Sequence, residues 1–118
     1  MNDLTIGTRT ATSGPVIELA GTLDHDSAAE VRARLAHLDL RTGQVLVVDL
    51  AGVTFCDSSG ITVLIAARNL ALQADAEIVL AAVPERIDRI FRIVGLDKVF
   101  ATRPTARSAT DAWESSVA

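Results

Sequence analysis

The sequence predicts an α/β protein, a single domain over residues 1–118 whose mixed β-sheet is covered by helices in the order β-β-α-β-α-β-α-β-α. Three observations carry this. The chain has 118 residues, the length of one domain, and a domain of that size buries roughly 65% of its unfolded surface, enough for one core. Val45–Leu50 (VLVVDL) and Glu77–Val83 (EIVLAAV) are nearly unbroken apolar runs, the pattern of strands buried on both faces. Between and after them the apolar spacing turns helical, and helical crossovers impose parallel strand pairing with a right-handed connection. With only 3% aromatic residues and no tyrosine, the core must be built from Val, Ile, Leu and Ala.

Taken in order, Leu4–Arg9 alternates weakly and predicts an edge strand. Thr10–Pro15 contains the turn signal Ser13-Gly14-Pro15, and Val16–Leu19 resumes as a strand, so the two form a hairpin with a loop of moderate length. Ala28, Val31, Leu35 and Leu38 then share a helical face. Ser27 with Glu30 has the spacing of a capping box that would start this helix, and Arg41-Thr42-Gly43 would end it. After the Val45–Leu50 strand, a second helix is predicted over Ser58–Ala74, with Ile61, Leu64, Ile65 and Leu72 on its apolar side. Pro84 suits the first turn of a third helix, striped by Ile87, Ile90, Phe91 and Val94 and closed by Gly95. A short strand near Lys98–Ala101 follows, and Pro104 opens a last helix whose Ala106, Ala109 and Trp113 share a face before a frayed Glu114–Ala118.

Composition removes several function classes. A net charge of −4, from 11 basic and 15 acidic residues, is the wrong sign for a protein that tracks nucleic-acid phosphates. The single cysteine, Cys56, excludes an internal disulfide and multi-cysteine metal centres, and fits a cytoplasmic protein. No basic segment leads into an apolar run at Met1-Asn2-Asp3, and no apolar stretch approaches the roughly 18 residues of a membrane span, so neither secretion nor membrane insertion is expected.

The chemistry concentrates after the central strand, at Thr54-Phe55-Cys56-Asp57-Ser58-Ser59-Gly60. In open parallel sheets function gathers at the carboxyl ends of strands, where helix N-termini point outward. A serine there faces free backbone N–H groups and the positive end of the helix dipole, and a phosphate on it would bring about −1.5 to −2 charges to a small surface. Gly60 removes a side chain beside it and lets another backbone approach. The plainer reading is that Asp57 or Ser58 is simply the helix N-cap, since Asp and Ser are favoured there in any helix. One cap explains one polar residue, whereas two serines and a glycine follow Asp57 here.

Asp57-Ser58-Ser59-Gly60-Ile61, together with Leu19-Ala20-Gly21-Thr22-Leu23-Asp24 upstream, resembles a STAS domain, in particular the bacterial anti-sigma factor antagonists. Pro84-Glu85-Arg86-Ile87, Ile90-Phe91 and Gly95-Leu96-Asp97-Lys98-Val99-Phe100 are similar to the third-helix and last-strand region of that family, in the same order and spacing. The resemblance implies a partner switch in transcription regulation. The unphosphorylated protein would bind an anti-sigma factor that is also a serine kinase, freeing the sigma factor. The kinase would then phosphorylate Ser58, the serine directly after the aspartate, and a separate serine phosphatase would reset it. Asp24 matches the family aspartate beside the phosphorylation site. The partner-binding edge carried over from the family is Asp24, Asp57, Ser58, Ser59, Gly60, Ile61 and Thr62. Thr62 departs from the pattern, standing where antagonists often have a second glycine or small residue, and a β-branched side chain there would restrict which kinase docks. ATP would belong to the partner, since the chain has no Walker-type loop, and no cofactor is expected.

Other residues carry less. His25 and His37 have no metal-ligand spacing, and a solvent-exposed His25 at a helix start is the expected case. A hydrolase built from Ser58, His25 and Asp24 lacks the G-x-S-x-G elbow. Cys56 fits a small buried hydrophobe better than a redox sensor, Arg86, Arg89 and Arg92 with Asp88 fit a solvated face, Asp49 a satisfier of nearby backbone, and Trp113 a core plug. The alternative to the phospho-switch is a STAS scaffold or transporter-associated subunit with no phosphorylation cycle.

Overall fold

The computed structural model describes residues 4–117. Strands β1 (Leu4–Ala11), β2 (Gly14–Leu23), β3 (Val45–Cys56), β4 (Glu77–Ala81) and β5 (Ala101–Arg103) form one sheet in the spatial order β1-β2-β3-β4-β5. The β1–β2 pair is antiparallel and the other three pairs are parallel, the mixed sheet the sequence predicts. Helices α1 (His25–Leu35), α2 (Ser58–Gln73), α3 (Glu85–Val94) and α4 (Ala106–Val117) complete the predicted element order, with a 3-10 turn at Leu96–Lys98 before β5. No helix among the described residues is long and apolar enough to cross a membrane.

The sheet has two unequal faces. Ile17, Leu19, Leu46, Val48 and Leu50 point to one side, where α1, α2 and α3 bury Val31, Leu35, Val63, Leu64, Ile87 and Phe91 against them. Each of these side chains, fully buried, contributes about 1.5–3 kcal/mol relative to exposure. Phe91 stacks on Phe100 with ring centroids 6.2 Å apart, fixing the 3-10 turn against α3. On the other side Val16, Val45, Val47 and Ala81 meet Ala106, Ala109 and Trp113 of α4. That helix covers only part of its face, so Glu18 and Ala20, alternating with Ile17 and Leu19 along β2, stay exposed.

Several boundaries differ from the sequence expectation, each for a physical reason. The hairpin is tight rather than moderate, with Ala11 paired to Gly14. Gly14 has φ +137° and a Cβ there would lie 2.5 Å from the Val45 carbonyl oxygen, so only glycine lets the turn pack on β3. Strand β2 runs to Leu23 instead of Leu19, and β3 to Cys56 instead of Leu50. The strand runs through Ala51-Gly52. There it bulges, so that Glu18 pairs with Asp49 but Ala20 with Gly52. The Asp49 carboxylate accepts the Ala51 N–H at 3.0 Å, the local backbone role expected of it. Helix α1 starts at His25 rather than Ala28 and stops at Leu35, well before Gly43. Its cap is Asp24, with Ser27 at the third helical position, so Ser27 and Glu30 do not form the expected capping box.

The second helix buries Gly60, Val63, Leu64, Ala67 and Ala71, while Ile65 and Leu72, expected on the core side, are exposed. Small residues carry this face because the helix lies close to the sheet. Val94 of the predicted third stripe is likewise exposed, but Gly95 closes α3 in the left-handed conformation as expected. Arg89 and Arg92 pair with Glu85 and Asp88 one turn back along exposed α3, a solvated face. The last strand lies at Ala101–Arg103, because Leu96–Lys98 is taken by the 3-10 turn that seats Phe100. Thr105 and Ser108 cap α4 reciprocally after Pro104. The helix then continues through Glu114 to Val117 rather than fraying, and Ala118 lies outside the described residues.

Candidate functional site

Strands β2 and β3 are neighbouring and parallel, so their carboxyl ends, Leu23 and Cys56, finish side by side in one register. Each is followed by an aspartate that caps a helix. At α1 the Asp24 carboxylate accepts the Ser27 N–H at 3.0 Å, while the Asp24 N–H donates to Ser27 Oγ at 2.9 Å. The Ser27 hydroxyl also donates to the Thr22 carbonyl at 2.8 Å, tying the cap to the end of β2. The N–H of Ser27 holds the Asp24 carboxyl below the ordinary Asp range, with a further contribution from the Ser27 hydroxyl.

At α2 the Asp57 carboxylate accepts two N–H groups, from Ser59 at 2.8 Å and from Gly60 at 3.2 Å. Asp57 is therefore the N-cap, as the plainer reading has it. The helix end expected to offer its N–H groups to a phosphate has already committed these two to its own aspartate, and the Ile61 N–H goes to the Asp57 carbonyl. Ser58 is the first helical residue and exposed. Among the described residues its hydroxyl makes no hydrogen bond; only its carbonyl is engaged, accepting from Thr62 Oγ1 at 2.8 Å.

The two caps are fastened together. The Asp57 N–H donates to the Leu23 carbonyl at 3.3 Å. A Cβ on Gly60 would stand 2.7 Å from Cys56 Sγ and 2.8 Å from both Leu23 Cγ and Leu23 O. The backbone that approaches Gly60 is thus the chain's own β2 end, and Gly60 is buried rather than part of an exposed edge. Cys56 is buried beside it, and burial, aided by Asp57, pushes its thiol up to about 11, which leaves it the inert apolar residue expected.

Of the seven edge residues expected from the sequence, Ser58 and Thr62 are exposed, and Asp24, Asp57, Ser59 and Ile61 are half-buried around them. Beside them runs a groove between α1 and α2, of about 280 Å³, lined by His25, Ala28, Ala29, Arg32, Ser59 and Thr62. His25 is the exposed first residue of α1, as expected. Arg32 was missed, although its place one helical face along from His25 becomes legible once α1 is started at His25. Ser27 was misread for the same reason; the Asp24-x-x-Ser27 spacing was the available signal. Among the described residues no hydrogen bond joins Ser58 to His25 or Asp24, and no group of three or more His, Cys, Asp or Glu could hold a metal ion.

Comparison with known proteins places the family and the fold. The family model described as "Mlab, STAS domain" matches residues 6–102, which leaves α4 outside the match. An anti-sigma-B factor antagonist of Listeria monocytogenes is 34% identical over 83 residues, covering 70% of this chain and 73% of that protein. The fold is that of an anti-sigma factor antagonist from Mycobacterium paratuberculosis, with a TM-score of 0.78 and 24% identity over 96% of both chains. The anti-sigma factor antagonist SpoIIAA in its unphosphorylated form gives 0.77 at 19% identity, over 94% of this chain and 97% of that one. With a family match that spans β1 to β5 and both aspartate-capped helix ends, the chain belongs to the STAS domain family.

Proposed function

We propose that this protein is an anti-sigma factor antagonist that acts in the cytoplasm as a phosphorylation-controlled partner switch. Unphosphorylated, it binds an anti-sigma factor serine kinase through the surface around Ser58, with Asp24, Asp57, Ser59, Ile61 and Thr62 at its edge, and the sigma factor is released. Phosphorylation of Ser58 ends that binding, and a serine phosphatase restores it. The role asks for no catalysis, cofactor or metal from this chain.

The observation that carries the reading is the state of the Ser58 hydroxyl, exposed and without a hydrogen bond among the described residues, beside a cap that already uses the Ser59 and Gly60 N–H groups. A phosphate there is not absorbed by the first turn. It stands out beside Asp57 as a dianion with three acceptor oxygens, opposing an acidic or tightly packed partner surface. The switch is therefore electrostatic and steric, and α2 keeps its position when Ser58 is modified. A helix rearranged after Gly60 in the phosphorylated protein would count against this mechanism.

The test is a pull-down from the native cell with Ser58→Ala and Ser58→Asp baits, bound proteins being identified by mass spectrometry. The expected result is an ATP-binding anti-sigma kinase on the Ala bait and its depletion on the Asp bait. Recovery of the same scaffold or transporter proteins on both baits, with no kinase, would replace the switch by the scaffold reading and leave Ser58 as ordinary helix start.

A further inference from the structure

At the end of the molecule opposite Ser58, where β2 and β3 begin, lies a cavity of about 490 Å³ between the β1–β2 hairpin and the segment joining α1 to β3. Its lining includes Arg9, His37, Asp39 and Arg41, with Pro15 and Leu38 as apolar surface. The chain as a whole is acidic, at −4, yet this cavity gathers two arginines and a histidine against one carboxylate. The STAS match and the switch around Ser58 give this concentration of basic groups no task.

The segment that presents Arg41 is held more firmly than a connection requires. The Arg41 N–H donates to Gln44 Oε1 at 2.9 Å, and the Gln44 N–H returns to the Arg41 carbonyl at 3.1 Å. Thr42 Oγ1 donates to the Ala74 carbonyl at 3.3 Å and the Gly43 N–H to the Asp75 carbonyl at 3.0 Å. From the far face of the sheet, Trp113 Nε1 donates to the Gly43 carbonyl at 2.9 Å. Asp39 orients the Arg41 fork through Nε and Nη2 at 3.4 and 3.1 Å, which leaves other guanidinium donors free. With both partners about three-quarters exposed, at 74% and 75%, this pair adds little stability, and the Arg41 guanidinium can turn from Asp39 to a ligand at small cost. Arg9 comes from β1 and Arg41 from the segment before β3, so two separate elements bring arginines to one cavity, as gripping a ligand with two separated negative groups requires.

We propose that this cavity is a binding site for a small multivalent anion, an oligophosphate or polycarboxylate, held by Arg9 and Arg41 from opposite walls. The volume falls in the range of small-molecule sites. The site is independent of the Ser58 surface, from which the length of β3 separates it by on the order of 35 Å.

Trp113, the only tryptophan, hydrogen-bonds to the same segment and serves as the reporter. The full chain is titrated at low ionic strength with inorganic pyrophosphate and, separately, with citrate, against sodium chloride at matched ionic strength, following Trp113 fluorescence and backbone amide shifts. The expected result is a saturable response to at least one polyanion, with shifts confined to Thr8–Thr10 and His37–Gln44. Saturation by pyrophosphate alone names an oligophosphate, and by citrate alone a polycarboxylate. Arg9→Ala and Arg41→Ala should each weaken binding about tenfold, the loss of one charge-assisted contact, while Ser58→Ala binds as the parent does. The amide shifts in the parent protein decide the location even where a variant fails to fold. Responses to both polyanions that match sodium chloride, shifts centred elsewhere, or folded arginine variants of undiminished affinity would each overturn the proposal.

Discussion

The N-termini of α1 and α2 start from the same design and end differently. Both follow the carboxyl end of a parallel strand, and both are capped by an aspartate. At α1 the third helical residue is Ser27, whose hydroxyl closes the capping box and is buried against β2. At α2 the third residue is Gly60, which has no side chain to return to the cap because that space holds Leu23 and Cys56. The first end is sealed. The second is packed tightly beneath and left open above, where Ser58 is exposed. The proposed partner switch would use the end whose hydroxyl is not spent on structure.

The largest effect should come from filling the space under α2. Gly60→Ala places a methyl within 2.8 Å of Leu23 O and within 2.7 Å of Cys56 Sγ. Alanine is the better helix former by about 1 kcal/mol, but overpacking against backbone costs typically 1–3 kcal/mol, and three close atoms place this site at the upper end. We expect a net loss of about 2 kcal/mol by urea denaturation. Adding Cys56→Ala should recover only part of it, since the Leu23 carbonyl remains in the way. Full recovery would mean that sulfur alone sets the limit, and that β2 is less tightly joined to α2 than the comparison requires.

How legible this was depends on the kind of signal. The apolar runs of β3 and β4, the Pro84 start and the Gly95 stop of α3 survive in the structure because each is a local rule with a local cause. The ends of β2 and β3 did not, because Gly52 interrupts a strand pattern for a reason found only across the sheet: a Cβ there would meet Ala20 Cβ at 2.6 Å. Ile65 and Leu72 misled for a related reason, since the buried side of α2 is chosen by closeness to the sheet and is lined by Gly60, Ala67 and Ala71. The Asp57–Gly60 motif was visible as a motif, with its serine expected at the start of a helix after the central strand. The sequence left open whether Asp57 or Ser58 is the cap; the structure gives the Ser59 and Gly60 N–H groups to Asp57, away from a phosphate on Ser58.

The two caps should differ next in what their aspartates hold. Asp57→Ala removes the only side-chain partner that the Ser59 and Gly60 N–H groups have among the described residues, whereas Asp24→Ala removes one N–H partner and leaves Ser27 bonded to Thr22. Loss of such a cap costs about 1 kcal/mol, and Asp57→Ala is expected to reach or exceed that figure while Asp24→Ala falls below it. Urea midpoints of the two variants, with unchanged denaturant slopes, give the order directly. A larger loss at Asp24 would show that the sealed end, not the open one, depends on its carboxylate.

The smallest effect is in acid, and it separates the caps by titration. The folded-state pKa of Asp24 is lowered, so its stabilising contribution is complete above the ordinary Asp value of about 3.9 and is lost as pH falls through the lower folded value. Because the carboxylate is exposed, the change should register locally at the start of α1 before it moves the global midpoint. We expect the Asp24 carboxyl resonance to titrate below reference aspartates, and the Ser27 amide to lose exchange protection over the same interval. Asp24→Asn keeps a capping oxygen but removes the proton equilibrium, so it should abolish the pH dependence of the Ser27 amide without abolishing its protection. If the Asn variant retained the same acid transition, the Ser27 bond would not be what lowers Asp24, and the sealed end of the comparison would have to be explained by Ser27 and Thr22 alone.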